Sequence, residues 1–379
     1  MVGVPGSQQF GSVADALARV ARTEPLAVVL AVVVVLLAAA SLVVAVRWYR
    51  RTPGEELLAT LAAKDEVAVL MHPNPDPDAM ASALGVARLA DTVDTGATIY
   101  FPGQIRHQEN RAFRTVLDLD FQNVETISDI PPRPIVLVDH NEARGFGGAQ
   151  NIVPYAVVDH HPGPGEGSAF TDVRMEYGAC ATIVAGYFRD LGVVPTDPES
   201  PEETALSTSL ATGLLYGVLS DTNDLTRGCS PAEFDAAEYL YAGVDEELLD
   251  RIAHPQVDRE VLDVKARAIS NRVVRNPYAV SNVGEVGNVD AIPQAADELV
   301  QLEGVSTVVV YGRRDGVVHL SGRSRDDRVH MGEALQVALD GLDGGTAGGH
   351  ARMGGGQVRS VAVGEQFHET LFAAMSGQI

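Results

Sequence analysis

One histidine and two aspartates fall within seven residues at His72, Asp76 and Asp78, in the stretch MHPNPDPDAMA. Three more clusters follow along the chain: Asp139-His140, Asp159-His160-His161 and Asp221-Thr222. Each comes straight after an apolar run. One Asp in such a place is an ordinary turn former or helix cap, but four clusters at the carboxyl ends of neighbouring elements converge on one edge of a sheet. Repulsion among so many carboxylates is costly unless cations neutralise it. Oxygen donors mixed with imidazole suit manganese, iron or zinc better than calcium. The carboxylates exceed what one ion needs, so the pattern fits two ions about 3.5 to 4 Å apart, an arrangement that activates a hydroxide for attack on phosphorus.

The elements that must position these groups alternate between strand-like and helical runs over residues 53–225, as in a mainly parallel sheet covered on both faces. The apolar runs predict strands at 67–70, 97–101, 135–138 and 155–158, and helices at 78–90, 180–191 and 204–219. Ser230-Pro231-Ala232-Glu233 reads as a capping box with proline at the first helical position, opening a helical connector that runs to about residue 274. A smaller α/β unit follows from about Tyr278, with strands near 306–311, 317–321 and 358–363, a glycine-rich stretch over 341–356 and a closing helix over 365–375.

In order and spacing, His72-x-x-x-Asp76-x-Asp78, Asp139-His140, Asp159-His160-His161 and Gly217-x-x-x-Asp221-Thr222 resemble the four motifs of the DHH phosphoesterase superfamily. The resemblance implies two Mn2+ ions. His72, Asp76 and Asp139 would hold one, and Asp78, Asp139, His160 and Asp221 the other. It also implies that Asp159 orients His160 and that His161 faces the phosphate, so Asp159 and His161 are the candidate catalytic residues. Pro77 stands where the family commonly has glycine, and Val138-Asp139-His140-Asn141 is closer to the manganese pyrophosphatase form. Ser321-Gly322-Arg323-Ser324, His330 and Gly348-Gly349-His350-Ala351-Arg352 resemble the DHH-associated domain of nanoRNases and cyclic-di-AMP phosphodiesterases. There Ser321, Arg323, Ser324, His330, Gly348, Gly349 and His350 would bind substrate. The glycines would let backbone N–H groups reach a phosphate at a helix start. His107, His254, His319 and His368 are read as surface or structural.

The formal net charge of −23 excludes long duplex nucleic acid as a partner, because polyanions are attracted by basic surfaces. Of 28 basic residues only Lys64 and Lys265 are lysine, an acid-rich and arginine-biased composition like that of halophilic archaea. The two cysteines, Cys180 and Cys229, lack metal or redox spacing and suit a reducing compartment. Residues 26–46 form a run of 21 drawn only from Ala, Val, Leu and one Ser, long enough to span a bilayer. It is too long for a signal-peptide core. Arg47, Arg50 and Arg51 follow it, which by the positive-inside rule puts the carboxyl-terminal bulk in the cytoplasm.

The expected organisation is therefore an N-terminal tail (1–25), a transmembrane helix (26–46), a parallel-sheet catalytic domain (52–225), a helical connector (226–277) and a smaller α/β substrate-binding domain (278–379). The expected activity is that of a membrane-anchored manganese phosphodiesterase acting on short oligonucleotides or cyclic dinucleotides. The alternatives are a 3′-phosphoadenosine 5′-phosphate phosphatase, an inorganic pyrophosphatase and, without turnover, a membrane-bound nucleotide sensor. The partners expected are a small nucleotide and the lipid bilayer, with a homodimer allowed.

Overall fold

A computed structural model of the protein describes residues 51–105, 107–163, 165–196, 206–359 and 365–378, together with 26, 29–30 and 33–39. The predicted tail lies outside the described residues, as does much of the predicted span. Among the described residues no helix is long and apolar enough to cross a membrane. The chain divides into two compact units. The first comprises Met1–Gly103 and Asp120–Asp245, and the second Gln104–Leu119 and Glu246–Ile379. The predicted connector is thus shared between the units.

The first unit holds α1 (Pro53–Leu61), β1 (Glu66–Met71), α2 (Pro77–Asp91), β2 (Gly96–Pro102), β3 (Gln122–Val124), β4 (Ile135–Val138), β5 (Ala156–Asp159), β6 (Phe170–Val173), α4 (Cys180–Asp190), α5 (Thr208–Asp221) and α6 (Pro231–Tyr241). The helix α3 (Gln108–Val116) leaves this run and packs with the second unit. The sheet order is β3-β2-β1-β4-β5-β6, and every pair is parallel. Successive strands run outward in both directions from the β1/β4 pair, so the winding reverses there. This is where an open α/β sheet leaves a crevice at its carboxyl edge. The strands are continuous apolar runs because both faces are covered: Leu70, Leu137 and Val157 pack under Ile127, Ile130 and Ile152, while α2, α4 and α5 pack on one another.

The second unit adds α7 (Glu246–Ala253), α8 (Arg259–Ser270), β7 (Arg272–Arg275), β8 (Tyr278–Glu285), α9 (Ala291–Leu299), β9 (Thr307–Arg314), β10 (Val317–Ser324), α10 (Met331–Leu339), β11 (Thr346–Gly349), β12 (Met353–Arg359) and α11 (Glu365–Met375). Its sheet runs β11-β12-β10-β9-β8-β7 and is antiparallel except for β8 with β9. Alternation along β9 sends Val308 and Val310 to the core beneath α8 and α9, and Val309 and Tyr311 to the core beneath α10 and α11.

The helical stretch expected to reach residue 274 ends at Ser270. Arg272-Val273-Val274-Arg275 is instead an edge strand with every residue exposed, so it lacks the half-buried alternation that marks a strand. Of the strand expected over 358–363, residues 358 and 359 close β12 (Met353–Arg359) and 360–363 lie outside the described residues; the strand starts earlier than expected because its glycines hide the pattern. The capping box forms as read: Ser230 accepts from Ala232 N, and Glu233 reaches back to Ser230 N. Glu233 is fully buried and also accepts the Gly178 N–H at 2.9 Å, which fixes the approach to α4.

Candidate metal centre

The four motifs meet at the carboxyl edge of the first unit's sheet. His72, Asp76 and Asp78 follow β1, Asp139 and His140 follow β4, Asp159 closes β5 ahead of His160 and His161, and Asp221 is the last residue of α5. Asp139 lies at their centre, 1 % exposed and in the left-handed region at φ 61°. A non-glycine residue held in that region marks a position over-determined by its surroundings. His72 Nε2 lies 3.3 Å from Asp139 Oδ2 and 3.4 Å from Asp76 Oδ2. On the other side His160 Nε2 lies 3.3 Å from Asp139 Oδ1, 3.5 Å from Asp221 Oδ2 and 3.8 Å from Asp78 Oδ2. Among the described residues two donor groups could each hold a metal, His72/Asp76/Asp139 and Asp78/His160/Asp221. A third, overlapping one is Asp139/His160/His161.

The backbone sets which imidazole nitrogen faces inward. His72 Nδ1 donates to the Pro73 carbonyl at 3.0 Å and His160 Nδ1 to the Tyr177 carbonyl at 3.2 Å, which leaves each Nε2 aimed at the carboxylates. Burial opposes charge on these rings, but the adjacent carboxylates of Asp139 and Asp76 outweigh it and raise His72 to about 11. The carboxylates of Asp139, Asp221 and Asp78 likewise raise His160 to about 12. Burial alone would push Asp139 up, yet His160 and His72 bring it below the usual carboxylate range. Asp78 and Asp221 are pushed up by burial and by neighbouring carboxylates, Asp139 prominent among them. Without positive charge this cluster is unfavourable; protons on His72 and His160 would supply some, and a divalent cation held by the neutral rings and carboxylates would supply more.

Three atoms test the fit to a metal. Both oxygens of Asp139 and the Nε2 of His160 are buried without a hydrogen-bond partner, an expensive state for polar atoms unless a ligand satisfies them. Carboxylates and imidazoles are also the donors that manganese and its neighbours prefer. The residues present therefore fit the group.

Asp78 is tied down a second way. Its two oxygens accept the N–H groups of Cys180 and Ala181, each at 2.7 Å, in the first turn of α4, where the helix dipole favours an anion. Gly217 brings α5 against the same point: a Cβ there would come within 3.1 Å of Ala181 Cβ and 3.2 Å of Asp78 Cα. That close approach is what delivers Asp221 one turn later. Beyond it, Asn223, Asp224 and Leu225 are all left-handed, and Thr222 Oγ1 accepts the Leu225 N–H at 3.2 Å.

Asp159 does not contact the His160 ring, as the motif had suggested. Its Oδ1 accepts from His161 Nδ1 at 2.9 Å and from the His160 backbone N–H at 2.8 Å, because His160 turns inward and the next residue's ring lies on the side of Asp159. The bond to Asp159 raises His161 against the cost of its burial. His161 is 46 % exposed, against 15 % for His72 and 12 % for His160, so it is the imidazole free to reach a substrate. His140 is buried with Nδ1 on the Val138 carbonyl at 2.9 Å, and burial lowers it to about 4.

In the second unit Ser321, Arg323, Gly349 and His350 line one cavity of about 340 Å3, together with His319. His319, which the sequence suggests is surface or structural, lies two residues before Ser321 on the same face of β10, so strand period alone includes it. Three predicted substrate residues are engaged elsewhere or lie outside the cavity lining. Ser324 shares a buried bond with Thr307, His330 Nδ1 caps α10 by accepting the Glu333 N–H, and Gly348 lies one strand over in β11. Nor is the start of α10 open to a phosphate. The N–H groups of Met331 and Gly332 donate to the carbonyls of Ala351 and His350, because Gly332 and Gly349 pack backbone to backbone.

Residues 66–218 match the model of the DHH family, N-terminal domain, and residues 275–377 match that of the DHHA1 domain. The chain belongs to the DHH phosphoesterase superfamily. It is 35 % identical over 288 residues to an uncharacterized protein of Methanocaldococcus jannaschii, covering 76 % of this chain and 56 % of that one. It is 28 % identical over 342 residues to the cyclic-di-AMP phosphodiesterase GdpP of Geobacillus thermodenitrificans, covering 83 % of this chain and 48 % of the relative. The chain thus spans about half the length of the curated relatives it matches. Among solved structures, an exopolyphosphatase-related protein from Bacteroides fragilis shares the fold with a TM-score of 0.61, at 15 % identity, covering 86 % of this chain and 96 % of that one.

Proposed function

We propose that this DHH-superfamily protein hydrolyses a phosphodiester in a small nucleotide, a short oligonucleotide or a cyclic dinucleotide such as cyclic di-AMP, with two Mn2+ as cofactors. The observation that carries the reading is Asp139, whose two unpartnered oxygens face His72 on one side and His160 on the other. His72, Asp76 and Asp139 would hold one ion, and Asp78, Asp139, His160 and Asp221 the other. Bound there, the ions supply Lewis acidity toward phosphoryl oxygens and lower the pKa of a water. His161, held by Asp159, donates a hydrogen bond to the phosphate, and its exposure suits that role. The 28 % identity to a cyclic-di-AMP phosphodiesterase along most of the chain supports a nucleotide substrate.

A pyrophosphatase reading has the Asp139-His140-Asn141 form in its favour. Against it stands the DHHA1 match over 275–377. We further propose that residues 26–46 anchor the protein in a bilayer with both units on the cytoplasmic side.

The test uses the full-length protein in detergent and high salt with Mn2+, offered a linear dinucleotide, cyclic di-AMP, 3′-phosphoadenosine 5′-phosphate and pyrophosphate. Release of mononucleotides from one of the first two is the expected result. Turnover of pyrophosphate alone would overturn the reading.

A further inference from the structure

The cavity on the second unit's sheet has an arginine whose charge is already spent. Arg323 is 15 % exposed, and its Nε and Nη2 donate to the two carboxylate oxygens of Asp297 on α9. Its Nη1 donates to Ser321 Oγ at 3.0 Å and to the Gly322 carbonyl at 3.1 Å. Nearly every donor of the guanidinium is therefore occupied within the protein, and the paired carboxylate cancels the field that would draw in an anion. The walls beside it are largely apolar, with Val289, Ile292, Pro293 and Met353, and Asp290, His319 and His350 add polar groups to the lining.

The floor points the same way. Ser321 pairs with Gly355 across β10 and β12, and both line the cavity. A Cβ at Gly355 would meet nothing closer than the Leu320 carbonyl at 3.8 Å. Packing therefore does not demand glycine at this position. Glycine weakens a strand, and where the fold does not need it, it commonly clears room for a ligand.

We propose that Asp297 is a positioning residue that sets the substrate preference of this cavity. By neutralising Arg323 it makes the cavity take an uncharged planar face, the heteroaromatic base of a nucleotide, and discriminate against a terminal phosphomonoester. This rests on the nucleotide reading above.

The full-length protein in detergent with Mn2+ is assayed on a diadenosine dinucleotide with and without a 5′-phosphate. Asp297→Asn shifts the ratio of kcat/KM toward the phosphorylated form by about tenfold, as expected when one charge near a ligand is unmasked. Asp297→Glu keeps the wild-type ratio. Gly355→Val raises KM for both substrates by about tenfold with kcat held, because it fills the cavity. An unchanged ratio in Asp297→Asn overturns the proposal, and so does an equal loss on both substrates. If Asp297→Asn does not fold, an unmoved KM in Gly355→Val overturns it. Should the wild type cleave neither dinucleotide, the functional reading fails separately. The same ratio, taken from equilibrium binding of the two dinucleotides, then decides the role of Asp297, and binding of neither overturns it.

Discussion

The two units solve the problem of charge in opposite ways. In the first, Asp78, Asp139 and Asp159 are essentially fully buried, and each is held by backbone or imidazole contacts that leave it a single orientation. In the second, Arg323 on β10 meets Asp297 on α9, which is 56 % exposed. A buried carboxylate whose oxygens find no hydrogen-bond donor in the protein, as at Asp139, calls for a cation, whereas a half-exposed pair can be traded against solvent or ligand at little cost. The first arrangement suits chemistry that must not vary. The second suits selection among substrates.

The largest break in that contrast is Asp139→Asn, which removes a charge from both donor groups at once. Metal content by elemental analysis falls, and activity drops by about 10³-fold, the scale of losing electrostatic stabilisation at a reacting centre. Gly217→Val comes next. It drives α5 off Ala81, Ala181 and Asp78, costs about 1–3 kcal/mol in thermal unfolding, and weakens metal binding because Asp221 moves with the helix. Asp159→Asn leaves metal content intact, since its side chain reaches His161 and no inward-facing donor, and lowers kcat by about 10- to 100-fold. The smallest effect separates the units by salt. Raising ionic strength shrinks the change caused by Asp297→Asn, through screening of an exposed pair, and leaves the Asp139→Asn loss where it was. If both responded equally to salt, the contrast between buried and exposed charge would not hold.

The metal centre was legible because a parallel sheet advertises its edge. Strands buried on both faces are unbroken apolar runs, and the polar residue that ends each run sits at the carboxyl edge. Helix α5 ended two residues beyond the expected position, which places Asp221 inside its last turn. Less could be read where contacts cross the sequence without a local pattern. Asp297 lies on α9 among ordinary helical residues, and only the fold sets it against Arg323. The Asp159–His161 contact was missed because adjacent histidines give no sign of which ring turns inward. Glycines erased the alternation of β11 and β12, so a hairpin passed for a loop at a helix start.

The excursion of α3 has a consequence for how such a protein can be altered. The residues matched to the DHH family, 66–218, contain a helix whose packing partners, α7 among them, lie beyond residue 245. The backbone therefore passes between the two units at three points in sequence, near residues 103, 119 and 245. The units are not interchangeable cassettes. A chimaera joined only at residue 245 would pair α7 with a foreign α3, so any recombination that keeps both halves intact must exchange the segment 104–119 along with the carboxyl-terminal piece.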